Sequence, residues 1–394
     1  MTIERVVPNP NSLESAGDPS FESAAVALGA DRIVVNLGPQ HPSTHGVFRL
    51  VLTLEGETIV DAAPVMGYLH RGTEKIMEEG TYLQNVTLTD RLDYLAGMSN
   101  NMAYSMAVEH MAGIRVPPKG EYLRVLFAEL QRYASHCVAI GTFGADVGTF
   151  FTPLLYTFRE REAILDLFEL ACGARMTFTF IRPGGAALEL PPEFFPACQR
   201  LLDDLPRKVD EYEELLTNNE IFVARTRGVG VLPAEDAIPW GISGPNLRAS
   251  GVPYDLRKEI PYSCYGEFDF DVVTRPEGDA YARYLVRIGE MRQSIRIAQQ
   301  ALKKVMATTG FGSVRLGPFF RPPPGEGFSR IESPRGELGF YVVSDGSIAP
   351  YRAKCRAPSF ITLGPLAGML RGWKVADVIV ILGSIDIVLG EVDR

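Results

Sequence analysis

The spacing of apolar residues changes its period near residue 72, and no other feature of these 394 residues limits the fold as strongly. Before that point RIVVNL (32–37) and VFRLVLTLEGETIV (47–60) are β-branched or alternating. Phe48, Leu50, Leu52 and Leu54 fall on one face, and Glu55-Gly56-Glu57 supplies a turn. After it, TDRLDYLAGMSNNMAYSMAVEHM (89–111) repeats Leu95, Met98, Met102 and Met106 at three- and four-residue steps. EYLRVLFAELQRYASHCVAIGTFG (121–144) and TFREREAILDLFELACGA (157–174) carry the same period. Alternation buries one face of a sheet, whereas the longer period buries one stripe of a helix. The two together predict an α+β chain: a predominantly helical core, an N-terminal antiparallel β-sheet and smaller β-hairpins.

The rest of the chain divides on the same grounds. Residues 1–31, rich in Pro, Asn and Ser, read as a flexible arm without the basic-then-apolar order of a secretory signal. Residues 32–394 read as one domain, with an antiparallel β region (32–70), a helical core (71–225), a long loop region (226–277) and a last part (278–394) of helix, hairpin and C-terminal segment. Within it, 191–219 is an amphipathic helical stretch that Pro206 is expected to interrupt. WGISGPNLRASGVPYDLRKE (240–259) typifies the loop region, and a loop of that length usually covers a site or meets a partner. Residues 279–305 resume as a long helix, and 335–361 predict a hairpin turning at Ser344-Asp345-Gly346.

Composition excludes several functions. A net charge of −9 and the lack of a long basic run argue against nucleic acid as a partner. Five dispersed cysteines (Cys137, Cys172, Cys198, Cys264, Cys355) with no CxxC pair support neither a disulfide framework nor a thiolate metal site, and fit a reducing compartment. No GxGxxG or P-loop is present, so nucleotide binding is not indicated. The most membrane-like stretch, 135–158, contains Asp146, Pro153 and several glycines, and is expected to be buried in protein.

Three places could carry chemistry. GPQHPSTHG (38–46) spends two of the five histidines, His41 and His45, four residues apart, but Pro39, Pro42 and the bracketing glycines make it a loop between two strands, not a zinc-binding helix. Asp146, in GTFGADVGTFFTP, is the one ionised residue between Arg132 and Arg159; it is either a cap or the partner of a cation such as His45. Tyr94, in TDRLDYLAGMSNN, lies beside the methionine stripe, and by pattern alone it packs in the core. Charges in HRGTEK (70–75) and DRLDY (90–94) mark apparent helix starts.

At GPQHPSTHG, GYLHRGTEK, TDRLDYLAGMSNN, FGADVGTFFTP, SPRGELGFYVVSDG and DIVLGEVDR the sequence resembles the 49 kDa subunit, called the D subunit in bacteria, of proton-pumping NADH–quinone oxidoreductase, respiratory complex I. The resemblance runs from about residue 32 to the last residue. It implies a fold like that of the nickel–iron hydrogenase large subunit. The stretches corresponding to that protein's two CxxC pairs, DRLDYLAGMSN and GSIDIVLGEVDR, have no cysteine, so no nickel is expected. The resemblance implies instead a quinone head group as substrate and no cofactor held by this chain, with an iron–sulfur cluster in the adjacent subunit. By the same resemblance His45 and Tyr94 bond the two quinone oxygens, Asp146 stands behind His45, His41 helps hold the loop, and Arg71 lies near the cluster. The implied partners are the iron–sulfur B subunit, the C subunit, other peripheral-arm subunits and the membrane-arm H subunit. The implied place is peripheral, on the cytoplasmic face of the bacterial cell membrane. Competing readings are a true hydrogenase subunit, a relative with another electron donor and a non-catalytic scaffold.

Overall fold

The computed structural model describes residues 32–40, 46–149 and 151–394, so the expected arm and both His41 and His45 lie outside the described residues. Among those residues, six helices exceed ten residues: α1 (Gly97–Ala112), α2 (Pro118–Val147), α3 (Thr152–Cys172), α4 (Phe194–Leu216), α5 (Ala280–Ala307) and α6 (Val375–Ile385). Two small three-stranded antiparallel sheets accompany them, β1 (Arg32–Leu37), β2 (Arg49–Glu55), β3 (Thr58–Val65) and β4 (Gly325–Ser333), β5 (Gly336–Ser344), β6 (Arg352–Arg356), each in sequential order. The chain is thus α+β, mainly helical.

In the first sheet Leu50, Leu52 and Leu54 are buried and their neighbours less so, the alternation that one covered face requires. Gly56 adopts φ +60° at the turn between β2 and β3. The long helices start and stop where local chemistry dictates. Pro118 opens α2, where its missing N–H costs nothing, and Gly148 ends it in the left-handed region at φ +102°. At the start of α5 the Asp279 side chain accepts from the Ala282 N–H at 2.7 Å.

Helices α2 and α5 pack along each other at the centre, with α3 and α4 beside them and α6 against α2. The β4–β5 hairpin lies on α1 so closely that a Cβ at Gly327 would stand 2.0 Å from the Ala107 carbonyl oxygen. One apolar cluster extends from Phe48 to Val392. The stretch 135–158 forms the end of α2 and the first turns of α3. Among the described residues no helix is long and apolar enough to cross a membrane.

Several expectations need correction. Pro206 does not interrupt its helix: α4 runs through it, and the Leu202 carbonyl that its missing N–H would have served accepts from Gln299 Nε2 at 3.2 Å. The hairpin turning after Ser344 exists as β5–β6, but the sheet has a further strand, β4, and a tight turn at Pro334-Arg335. The region 226–277 holds short helices at Ala234–Ala237, Gly244–Arg248 and Leu256–Glu259, and it is anchored by buried Arg248, Asp255 and Arg257. Asp146 sits on the last helical turn of α2, not in a loop; Gly141 and Gly144 serve the approach of α3, where Thr157 and Pro153 occupy the space a Cβ would need.

Candidate functional site

Residues Asp90–Ala96 form turns between a short helix, Val86–Thr89, and the start of α1. Two carboxylates direct this segment inward. Asp90 Oδ2 accepts from the Thr179 backbone N–H at 2.9 Å and its hydroxyl at 2.8 Å. Asp93 accepts from Leu95 N–H at 3.0 Å through one oxygen and from Arg335 Nη1 at 2.6 Å through the other. Both are wholly buried, whereas Tyr94 is left 39% exposed. Tyr94 therefore does not pack into the core as pattern alone predicts: the flanking aspartates take the inward positions. Burial raises the pKa of its phenol, Arg335 opposes the rise, and Asp93 and Asp386 add to it. At neutral pH the hydroxyl keeps its proton and can donate it.

Arg335, in the β4–β5 turn, is the centre of a buried ionic cluster. Besides Asp93 it reaches Ser135 Oγ on α2 at 3.2 Å and Asp386 Oδ1 at 3.2 Å. Asp386 ends α6 in the left-handed region, φ +53°, one of the few side chains that tolerates it, and its second oxygen stands 3.9 Å from Arg287 Nε of α5. Burial lowers the basicity of Arg335, but Asp386 and Asp93 outweigh that and keep it charged. Glu391, on the short helix Leu389–Asp393, is also buried; one oxygen accepts from Ser359 N–H at 2.9 Å. Burial, reinforced by Asp93, pushes its carboxyl up to about 8.

The last dozen residues connect these groups. A Cβ at Gly390 would lie 2.6 Å from the Leu92 carbonyl oxygen, so only glycine lets this strand of chain lie against the Tyr94 segment. A Cβ at Gly383 would lie 2.9 Å from Asp146 Oδ2, which places the aspartate at the end of α2 directly against α6. Gly46, the last residue of the histidine loop, faces Leu389 Cδ1. The Asp393 carboxylate accepts from Gly67 N–H at 2.9 Å and Leu69 N–H at 2.7 Å, and fixes the turn that carries exposed Arg71. Beside that turn a cleft of about 430 Å³ is bordered by His70, Glu74, Arg352, Lys354, Phe360 and Arg394. Tyr94, Asp146, the end of the histidine loop and Arg71 thus belong to segments that meet one C-terminal segment.

Sequence patterns do not single out Asp93, Arg335, Asp386 and Glu391 as a cluster. The one signal is the pair Asp386 and Glu391 inside the otherwise apolar run VIVILGSIDIVLGEV, where an ionised residue needs a partner or a proton. Among the described residues no group of three or more His, Cys, Asp or Glu side chains could hold a metal ion, and between these carboxylates a guanidinium already supplies the positive charge. The cysteines are free thiols, four of them buried.

The family described as "Respiratory-chain NADH dehydrogenase, 49 Kd subunit" matches residues 146–316 and 311–394. Along 373 residues the chain is 55% identical to the first of two numbered D subunits of the NADH-quinone oxidoreductase of Roseiflexus sp., covering 93% of this chain and 100% of that one. It is 54% identical over 368 residues to the NADH-quinone oxidoreductase D subunit of Desulforamulus reducens, with 93% and 100% covered. To the D subunit of Clostridium beijerinckii it is 46% identical over 367 residues, with 93% and 98% covered. Similarity of this extent leaves no alternative assignment: the chain belongs to the family of the 49 kDa subunit of respiratory-chain NADH dehydrogenase, the D subunits of the NADH–quinone oxidoreductase complex.

Proposed function

We propose that this chain forms the quinone head-group site of a proton-translocating NADH–quinone oxidoreductase and delivers protons to the quinone. The observation that carries the reading is Tyr94, protonated and half-exposed, held outward by Asp90 and Asp93 above a buried ionic cluster. Reduction to the hydroquinone takes two electrons and two protons. The electrons arrive from the iron–sulfur cluster of a neighbouring subunit, and the protons require donors at the two oxygens. Tyr94 is one donor. His45 is the other, and Asp146, at the end of α2, keeps the imidazole charged and oriented. His41 steadies the loop, and Arg71 stands near the cluster, where a cation raises its potential.

The same reading makes residues 32–394 one domain of the hydrogenase-large-subunit type. In its support, the two stretches that correspond to thiolate-bearing segments in hydrogenases lie in contact at Gly390 and Leu92, and carry Asp93, Asp386 and Glu391 in place of cysteines. The B and C subunits, other peripheral-arm subunits and the membrane-arm H subunit are the partners, on the cytoplasmic side of the cell membrane.

The test is Tyr94→Phe, which keeps the ring and deletes the hydroxyl. In membranes with a verified content of complex, quinone reduction should fall about a hundredfold, while NADH oxidation by an artificial acceptor at the input module persists. Quinone turnover and affinity equal to wild type would return Tyr94 to a packing role.

A further inference from the structure

The cluster beneath Tyr94 has three carboxylates, and its charge balance depends on only one of them. Arg335 and Arg287 are guanidinium ions and stay charged. Asp93 and Asp386 lie against them, at 2.6 Å and 3.2 Å from Arg335 and, for Asp386, 3.9 Å from Arg287. Two cations thus face two anions. Glu391 is the third carboxylate and has no cation within ion-pair distance among the described residues. Its Oε1 accepts from Ser359 N–H at 2.9 Å, and its Oε2, buried, has no hydrogen-bond partner among the described residues. The groups facing it are Asp93 from the Tyr94 segment, Arg335 from the β4–β5 turn, the Cys355 thiol of β6 and Ser359 just after that strand, with Arg394 and Glu74 paired at 3.6 Å beyond Cys355.

An unpaired carboxylate cannot stay ionised in such surroundings without a large desolvation cost, whereas the neutral acid fits them. Asp93 competes for the same proton, but it accepts from both Arg335 and Leu95 N–H, so the proton resides on Glu391.

We propose that Glu391 is the charge-setting residue of the Tyr94 site: with its proton the cluster is neutral and Tyr94 can release a proton to a bound acceptor, and without it the added negative charge blocks that release. The inference rests on the reading of Tyr94 as a proton donor to quinone. When Tyr94 gives its proton to the quinone oxygen, negative charge develops on the phenolate. A neutral cluster tolerates this charge, and one with an extra carboxylate repels it. Glu391 touches no substrate; it is a positioning residue that acts through the local field.

The experiment compares wild type, Glu391→Gln and Tyr94→Phe in the assembled complex, with quinone reductase activity followed from pH 6 to pH 9.5. Glutamine keeps the acceptor for Ser359 N–H and cannot ionise. With Glu391 titrating near 8, the wild-type rate should fall about tenfold from pH 7 to pH 9, and in Glu391→Gln this decline should be absent. A purely structural role would lower the rate at every pH and leave the shape intact. Infrared difference spectra of the wild-type complex give a second readout, independent of how well the variant assembles: a carboxylic-acid C=O band present at pH 7 should disappear through pH 8. An unchanged alkaline decline in Glu391→Gln, or no such band in wild type, overturns the inference. If Tyr94→Phe reduces quinone like wild type, the site reading itself fails; if it is impaired while Glu391→Gln keeps the wild-type profile, only the role of Glu391 is refuted.

Discussion

Two buried ionic assemblies lie in this molecule, one at the contact of α2 and α5 and one beneath Tyr94, and they differ in how completely their charges are met. In the first, Arg257 pairs with Asp255 at 2.6 Å and Glu129 at 3.1 Å, Arg132 with Glu129 at 3.2 Å, and Arg248 with Glu290 at 2.7 Å and Glu332 at 2.8 Å. Glu129 additionally accepts from Tyr265 and Ser294 hydroxyls, both at 2.7 Å. Burial opposes the ionisation of Glu290, but Arg248 and the hydrogen bond from His136 draw it down to about 2. His136, pushed down by burial, is neutral at pH 7. In the second assembly burial wins at Glu391, and a carboxyl stays protonated. A saturated network fixes a core, while an unsaturated one retains a group that can change charge near neutrality.

The largest effect should come from breaking the saturated network. Arg248→Met leaves Glu290 and Glu332 without their common cation and should cost about 3–5 kcal/mol, enough to prevent accumulation of folded chain. Abundance and urea unfolding measure this; a variant that unfolds at wild-type urea concentration would show that the network contributes little.

Asp146→Asn tests the other side of the contrast, a function without a stability role. Folding should persist. Quinone reduction at pH 7 should drop about tenfold and recover in part as pH is lowered, because the imidazole of His45 then regains its proton without help from the carboxylate. A full-rate profile parallel to wild type would remove Asp146 from proton delivery. Tyr94→Phe sets the upper limit of loss at this site.

The smallest effect, and the sharpest, is the sign of pH dependence. Glu290 is depressed from 4.5 to about 2, so its contribution to stability is present above pH 4.5 and lost as pH falls toward 2. Glu391 is raised from 4.5 to about 8; the folded chain holds a proton that the unfolded chain releases, so stability falls as pH rises from 4.5 to 8. Urea unfolding of Glu290→Gln and Glu391→Gln against pH should therefore remove slopes of opposite sign. Slopes of the same sign would mean that the two assemblies are electrostatically alike.

How much of this could be read in the sequence depends on the range of the interactions. The strands β1 to β3, the helices α1 to α5 and the turn at Gly56 follow from periodicity and from caps such as Asp279, which are local properties. Pro206 misleads because its tolerance depends on Gln299 of another helix. The strand β4 escapes notice because its partner surface on α1, and not its own alternation, fixes it. Tyr94 and Asp146 stand out by motif, while their surroundings do not. The distance along the chain from Asp93 to Arg335 is 242 residues, and from Arg335 to Asp386 it is 51.

The class of fold, the family and the residues on offer were legible in the chain alone, because period, capping and motif are written in neighbouring positions. Folding in three dimensions was needed to turn Asp90 and Asp93 inward and leave Tyr94 exposed, and to bring the C-terminal segment, through Gly383 and Gly390, against Asp146 and Leu92. It also settled which carboxylates meet a guanidinium and which one keeps its proton. Desolvation and charge pairing depend on which distant side chains share a buried volume, and no local pattern carries that information.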